Sequence, residues 1–251
     1  MTARFSFQPQ PKPNIVTETI EIDPEISVAL GIPAHAPMPV DTVHSLVETM
    51  ASLGAMKIKH QPLLHKSNVV TLARDAVLER FLNGGCQKLF WIDSDMVWDR
   101  QAFFTMLALS QKVDVVCAAY PAKTEGNGTF FVNCEANRKI GPYGLQEFNG
   151  AGLGFTIVDR KVCQQLSDNA PKVFDQMAGR YVPSVFRIDV DEKGTRRTED
   201  MAFFRDIQEL GHTVWCKTDI VLGHIGERMW VGSLQQALDK GNLVQPAKQP
   251  A

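Results

Sequence analysis

The sequence predicts an α/β fold with a mixed, mostly parallel central sheet flanked by helices. Segments with strand patterning alternate with segments of helical period through the first half of the chain, the order that builds parallel sheets. KLFWI (88–92) and DVVCAAY (114–120) are near-continuous apolar runs, as expected of strands buried on both faces. A length of 251 residues, 44% of them hydrophobic and 22% charged, is enough to bury a substantial core in one large domain.

Residues 1–24 hold Pro9, Pro11 and Pro13 among polar residues without a sustained period, so they read as an extended or disordered arm. Order is expected from Ile26, where ISVALGIP reads as a buried strand stopped by Gly31 and Pro33. Asp41 then caps a helix whose apolar stripe is Val43, Leu46, Val47, Met50 and Leu53. MKIKHQPLL is the second strand. Ser67 caps a helix with Val69, Leu72, Ala73, Val77 and Phe81 on one face, and Gly84-Gly85 ends it. After KLFWI, Asp99 caps the helix RQAFFTMLALSQ.

The second half is less regular. FNGAGLGFTIV reads as a glycine-rich strand, Asp159 caps a helix to Leu166, and SVFRIDVDEKGTRR reads as a hairpin turning at Glu192 to Gly194. Thr198 caps EDMAFFRDIQELG, which ends at Gly211, and TVWCKTDIVLGHIG supplies at least one more strand. The expected organisation is an arm over 1–24, one domain over 25–230, and a C-terminal helix and tail over 231–251.

A formal net charge of −2 provides no global attraction to nucleic acid or anionic lipid. No apolar run approaches the roughly 20 residues of a membrane helix and no basic, then hydrophobic, leader opens the chain, so a soluble, cytoplasmic protein is expected. The five cysteines are odd in number and widely spaced without a C-x-x-C pair, which favours reduced, mostly buried thiols. Asn127-Gly-Thr129 reads as a loop turn rather than a glycosylation site.

The stretch LFWIDSDMVWD carries the chemistry. Asp93 and Asp95 flank Ser94 where an apolar strand ends, and in extended backbone the two acids point the same way. Ligands of open α/β sheets bind beyond the carboxyl ends of the strands. Unpaired carboxylates beside so apolar a strand require water or a cation, and Mg²⁺ or Mn²⁺ takes one or two protein carboxylates with water and phosphate oxygens. The competing role, helix capping, is better filled by Asp99.

FWIDSDM with its following helix and DVVCAAYPAK resembles the Asp-x-Asp region of GT-A-fold glycosyltransferases, especially bacterial and phage family-two-like members. FNGAGLGFTIVDRKVCQQL and TEDMAFFRDIQELGHTVWCKTDIVLGHIG resemble two further segments of that family in the same order, so the likeness runs from about Ile26 to Gly226. It implies a GT-A-like (Rossmann-like) sheet and a UDP- or GDP-sugar donor whose diphosphate is bridged by Mn²⁺ or Mg²⁺ to Asp95 and Asp93 in a loop shared with Ser94. It also implies His224 as a further metal ligand, Asp200 as the base of an inverting transfer, and Glu199 as an acceptor contact. Pro33 and His35 match the location of nucleotide-base contacts. Arg74 matches an arginine near the nucleotide that orients the Asp-x-Asp loop, although the family often has Arg-Asn where this chain has Arg74-Asp75. Lys123 is expected at a phosphate or the acceptor. The acceptor is left open among a glycan, a lipid-linked sugar, a protein and a modified nucleic-acid base.

Gly150, Gly152 and Gly154 do not open a helix, so they are no dinucleotide fingerprint; close backbone approach to a ligand is expected, with Gly152 at its centre. Asp189 and Asp191, beside a turn, read as solvated turn carboxylates. Three rival functions remain. Asp93-x-Asp95-x-Val97 also resembles the nucleophile motif of haloacid-dehalogenase-like phosphatases, but without a later acidic cluster. GIPAHAPMP lacks the basic, glycine-rich loop of a nucleotidyltransferase. A non-catalytic carbohydrate-binding protein would not require the acids and His224.

Overall fold

A computed structural model describes residues 20–124, 129–130, 132–135, 138–176, 178–190, 192 and 194–240. Asn127 and Asp191 therefore lie outside the described residues. The first half contains β1 (Ser27–Ala34), α1 (Val40–Ala55), β2 (Lys59–Lys66), α2 (Val70–Leu82), β3 (Lys88–Ile92), β4 (Met96–Val97), α3 (Arg100–Leu109) and β5 (Val115–Cys117). Then come β6 (Val132–Asn133), β7 (Gln146–Glu147), β8 (Gly150–Ala151), β9 (Phe155–Asp159), α4 (Arg160–Asn169), β10 (Lys172–Asp175), β11 (Arg180–Pro183), β12 (Asp189–Val190) and β13 (Arg196–Arg197). The chain continues through α5 (Glu199–Glu209), β14 (Trp215–Cys216), β15 (Leu222–Ile225), β16 (Met229–Gly232) and α6 (Leu234–Asp239).

Seven strands form the central sheet in the order β2-β1-β3-β9-β5-β14-β7. β2, β1, β3, β5 and β14 run in one direction, whereas β9 and β7 run against them. Both faces are covered, and the two-residue period of a strand divides its side chains between them. In β3, Leu89 and Trp91 join the core under α2, α4 and α5, while Phe90 and Ile92 join the core under α1 and α3. A small sheet of β16, β15 and β4 lies beside the carboxyl end of β3.

Local capping signals held where they were strongest. Asp99 accepts from Ala102 N at 2.6 Å and Asp159 from Lys161 N at 2.9 Å. Three expected caps are not formed: Pro39 precedes α1, Ser67 accepts from Val69 N ahead of α2, and Thr198 makes no side-chain cap bond. Asp41 instead lies in the first turn of α1, where a negative charge opposes the helix dipole.

The buried face of α1 is rotated from its apolar stripe. Thr42, Ser45, Leu46, Thr49 and Leu53 are buried, whereas Val43 and Val47 are exposed. The cause is Trp98, whose indole N–H donates to Thr49 Oγ1 at 2.9 Å and whose carbonyl accepts from Ser45 Oγ at 2.8 Å. A buried indole needs an acceptor, and the polar side of α1 supplies it. Similarly, Val69, which precedes α2, and Leu72 within it face solvent, and the buried side includes Arg74.

Other corrections come from long-range pairing. DVVCAAY forms a strand only over Val115–Cys117, and the glycine-rich stretch breaks into β8 and β9 around a turn. The boundary expected at 230/231 falls inside β16, and Leu234 and Ala237 of α6 are buried in the main core. At the other end, Ile20 and Ile22 pack on the core, and Gln111 bonds the backbone of Glu21 and Asp23. Four cysteines are buried, Cys134 is half-buried, and all five are free thiols. Among the described residues no helix is long and apolar enough to cross a membrane.

Candidate active site

The carboxyl ends of β1, β3 and β5 point to one edge of the sheet, where the turn before antiparallel β9 also lies. That shared edge brings together residues far apart in sequence. β3 ends at Ile92 and the chain turns at once, with Met96 N donating to Asp93 O at 3.1 Å. The turn separates the two acids that an extended strand would align. Asp93 faces α2 and α5, whereas Asp95 faces β15, whose Ile225 N donates to Asp95 O at 2.9 Å.

Arg74 organises the inner half. Its side chain is 3% exposed, and Nη1 bonds Asp200 Oδ1 and Glu199 Oε1 (3.2 Å) while Nη2 bonds Asp93 Oδ1 at 3.1 Å. The Phe186 ring lies 5.8 Å from the guanidinium. Asp200 Oδ2 accepts from Leu153 N at 3.3 Å, and Asp93 Oδ2 accepts from Tyr120 Oη at 3.1 Å. Gly154 N donates in turn to Tyr120 Oη at 3.3 Å. A Cβ on Gly154 would stand 2.4 Å from Asp93 Oδ2, and one on Gly152 would stand 2.3 Å from Tyr120 Oη. These glycines therefore admit Tyr120 and Asp93, not a ligand directly.

The outer half consists of Asp95, Lys123 and His224. Lys123 Nζ bonds Asp95 Oδ2, and His224 Nε2 lies 3.5 Å from Asp95 Oδ1. His224 Nδ1 lies 2.8 Å from Pro121 O, a group that only accepts, so this nitrogen carries the proton. A neutral His224 then turns a lone pair toward a carboxylate oxygen. Two acceptors in that arrangement require a positive charge, supplied by protonation of the imidazole or by a cation. The ring of Tyr120 packs edge-on against His224 with centroids 4.9 Å apart, joining the two halves.

The electrostatics differ between the halves. Burial would lower the pKa of Arg74, but Asp200, Asp93 and Glu199 outweigh it and hold the guanidinium charged. Burial pushes Asp200 up to about 6; Arg74 opposes this, and the charges on Asp93 and Glu199 add to it. Burial, then Asp93 and Asp200, raise the Tyr120 phenol well above its ordinary range, so it remains a donor. For Asp95, burial is outweighed by bonding to His224 and Lys123, and its pKa is lowered. Four carboxylates, Asp93, Asp95, Glu199 and Asp200, are bonded by two permanent cations, Arg74 and Lys123. Counting these six side chains alone, a surplus of two negative charges remains.

Several expected residues converge here and others do not. Asp93, Asp95, Lys123, His224, Glu199, Asp200 and Arg74 belong to one network, but Arg74 is covered by protein. Ser94 is buried in the turn, and Pro33 is buried within β1, opposite His65 of β2. His35 is exposed just beyond β1, at the same sheet edge. Asp189 accepts from Arg197 (2.8 Å) and Arg205 (2.6 Å) and ties a hairpin to α5. Among the described residues no group of three or more His, Cys, Asp or Glu side chains forms a ready cage for a metal. Asp95 and His224 lie close enough to share a cation, with Lys123 on the other Asp95 oxygen, whereas the oxygens of Asp93 are bonded by Arg74 and Tyr120.

Sequence reasoning missed Tyr120 and Asp75. Tyr120 ends the apolar run after Asp114, and its place at a strand's carboxyl end was the available signal. Asp75 Oδ1 accepts from Val185 N at 3.0 Å and Phe186 N at 3.1 Å, fixing the ring that covers Arg74. An asparagine oxygen could accept the same two bonds, so Arg-Asp is geometrically equivalent to Arg-Asn here.

Fold and site together define a mixed α/β protein with an acidic, arginine-organised cluster at the carboxyl edge of its sheet. No family model and no curated protein matches the chain. Among solved structures 166 chains match. One is the crystal structure of A197 from STIV, similar over 84% of this chain and 91% of that one, with a TM-score of 0.51 and 22% identity. The likeness is one of fold.

Proposed function

We propose that the protein is a metal-dependent glycosyltransferase of the GT-A type, moving a sugar from a UDP- or GDP-sugar to an acceptor hydroxyl with inversion. The observation that carries this reading is the division of the acidic cluster into an outer carboxylate facing an imidazole and an inner pair of carboxylates held by a buried arginine. Outer and inner halves suit two different tasks.

Asp95 and His224 are the residues that would hold Mn²⁺ or Mg²⁺, and a mixed oxygen and nitrogen pair favours Mn²⁺. When bound, such an ion neutralises charge that grows on a departing nucleoside diphosphate. Lys123 is placed to exchange its bond with Asp95 for one to a phosphate oxygen. Asp200 takes the acceptor proton: a pKa of about 6 leaves it ionised at neutral pH yet basic enough to share a proton in the transition state. Arg74 and Leu153 N hold its carboxylate in one orientation, and Glu199, beside it, is the acceptor contact.

Calorimetric titration of UDP- and GDP-sugars, with and without Mn²⁺, tests the outer half. Asp95→Ala and His224→Ala should each weaken metal-dependent donor affinity by at least about tenfold. Equal affinities in wild type and variants would defeat the proposal. Asp200→Asn should lower turnover roughly 100-fold or more without changing donor affinity.

A further inference from the structure

The segment between α4 and α5 carries two aromatic side chains that the acidic cluster does not use. β10 and β11 form an antiparallel hairpin in which Phe174 is the register partner of Tyr181. The two rings therefore share one face, with centroids 5.4 Å apart and planes at 72°. They are 54% and 67% exposed, although neighbouring Phe186 and Phe203 are fully buried. Two such rings leave on the order of 250 Å² of apolar surface in water. An isolated two-stranded hairpin is marginally stable, so this exposure is costly where it stands.

The hairpin is tied to the catalytic scaffold. Arg180 pairs with Glu79 of α2, and Ser184 N donates to Pro171 O at 2.9 Å to close the base. The chain then passes directly to the two amides held by Asp75. Glu79 lies five residues beyond Arg74 on α2.

Size and charge select the ligand. A stable protein complex covers about 800 Å² on each partner, several times what these rings offer. A nucleic-acid strand needs excess positive charge to meet its phosphates, but Lys172 is offset by Asp175, and Arg180 is paired with Glu79. What suits a pair of flat rings with balanced charge is a neutral molecule with a polarised C–H face and peripheral hydroxyls, because the ring face is electronegative. We infer that Phe174 and Tyr181 form a subsite for the pyranose rings of an oligosaccharide. That these rings belong to the acceptor rests on the glycosyl-transfer reading; the binding itself does not.

Binding is measured on the full chain with neither donor nor metal, by titrating maltohexaose, cellohexaose and chitohexaose, with a thymidine oligonucleotide as the competing probe. At least one hexasaccharide should bind, and Phe174→Ala or Tyr181→Ala should each weaken it about tenfold or more, while Tyr181→Phe retains most affinity. No hexasaccharide binding, or binding that survives both alanine variants, overturns the subsite. Oligonucleotide binding lost in the same variants overturns it in favour of base stacking, and a dimer that both variants dissociate overturns it in favour of a protein interface. Because Asp95 is left intact in the aromatic variants, failure of this inference and failure of the metal-site proposal give different results.

Discussion

Two arginines hold the two ends of α2, and they differ in what they bind. Arg160, the first residue of α4, spends its guanidinium on four backbone carbonyls at the end of α2: Phe81 and Gly84 through Nη2, Leu82 through Nη1, and Cys86 through Nε. It also lies 4.5 Å over the Phe81 ring. One full charge is spread over neutral dipoles that a helix terminus leaves unsatisfied. Arg74, in the second turn of the same helix, faces three carboxylates, and its Nε is buried without a partner. The first arrangement is complete. The second is over-supplied with negative charge, and such an imbalance is what a folded protein tolerates where chemistry requires it.

The largest effect that would sharpen this contrast is expected from Arg74→Met. Three partly buried carboxylates would lose their counter-charge, costing about 3–5 kcal/mol at pH 8. The loss should shrink as pH falls toward 5 and the acids protonate, since only their charged forms need the arginine. Urea melts at both pH values read this directly, and a loss that does not change with pH would break the contrast.

Arg160→Met should cost less, about 2–3 kcal/mol, because charged hydrogen bonds to carbonyls disappear but no charge is stranded. Carbonyls do not titrate, so this loss should be the same at pH 5 and pH 8. Donor affinity should be unchanged in the folded variant.

The one effect of opposite sign, a gain in stability, belongs to Asp75, which sits beside Arg74 but faces the neighbouring backbone. Burial raises its pKa from 3.8 to about 7, despite the two amides and Arg187, which favour the charged form. The folded state thus holds a proton that the unfolded state releases between those values, and stability contributed by the neutral acid is lost as pH rises from about 4 to 7. Asp75→Asn keeps the acceptor and removes the ionisation. It should therefore be more stable at pH 8, by no more than the roughly 4 kcal/mol that a shift of that size is worth at full value, and unchanged near pH 4, by the same melts. Equal stabilities at pH 8 would mean that the carboxylate is well solvated.

The legible part of the fold was local. KLFWI matched β3, and Asp99 and Asp159 capped the helices they precede, whereas β1 was expected to stop at Gly31 and Pro33 but runs through both to Ala34, paired with β2. Caps within a few residues of the groups they bond need no knowledge of the rest of the chain. The rotated face of α1 could not be seen because it depends on Trp98, 49 residues beyond its partner Thr49. The pairing of Asp93 and Asp95 was misjudged for a related reason: the strand rule holds only while the strand continues, and β3 ends at Ile92.

By itself, then, the sequence determined an α/β chain with covered strands, carboxylates at a strand's end, and an acidic pair opening α5. These follow from side-chain period and from the solvation cost of charge, both of which act along short stretches. Only tertiary structure decided that β9 runs antiparallel between β3 and β5, bringing its preceding glycine turn against Tyr120 and Asp93. It alone joined Arg74 to Glu199 and Asp200 across 125 and 126 residues, and turned His224 toward Asp95. Coulomb energy depends on distance in space and on the water excluded between charges, and neither can be read from separation along the chain.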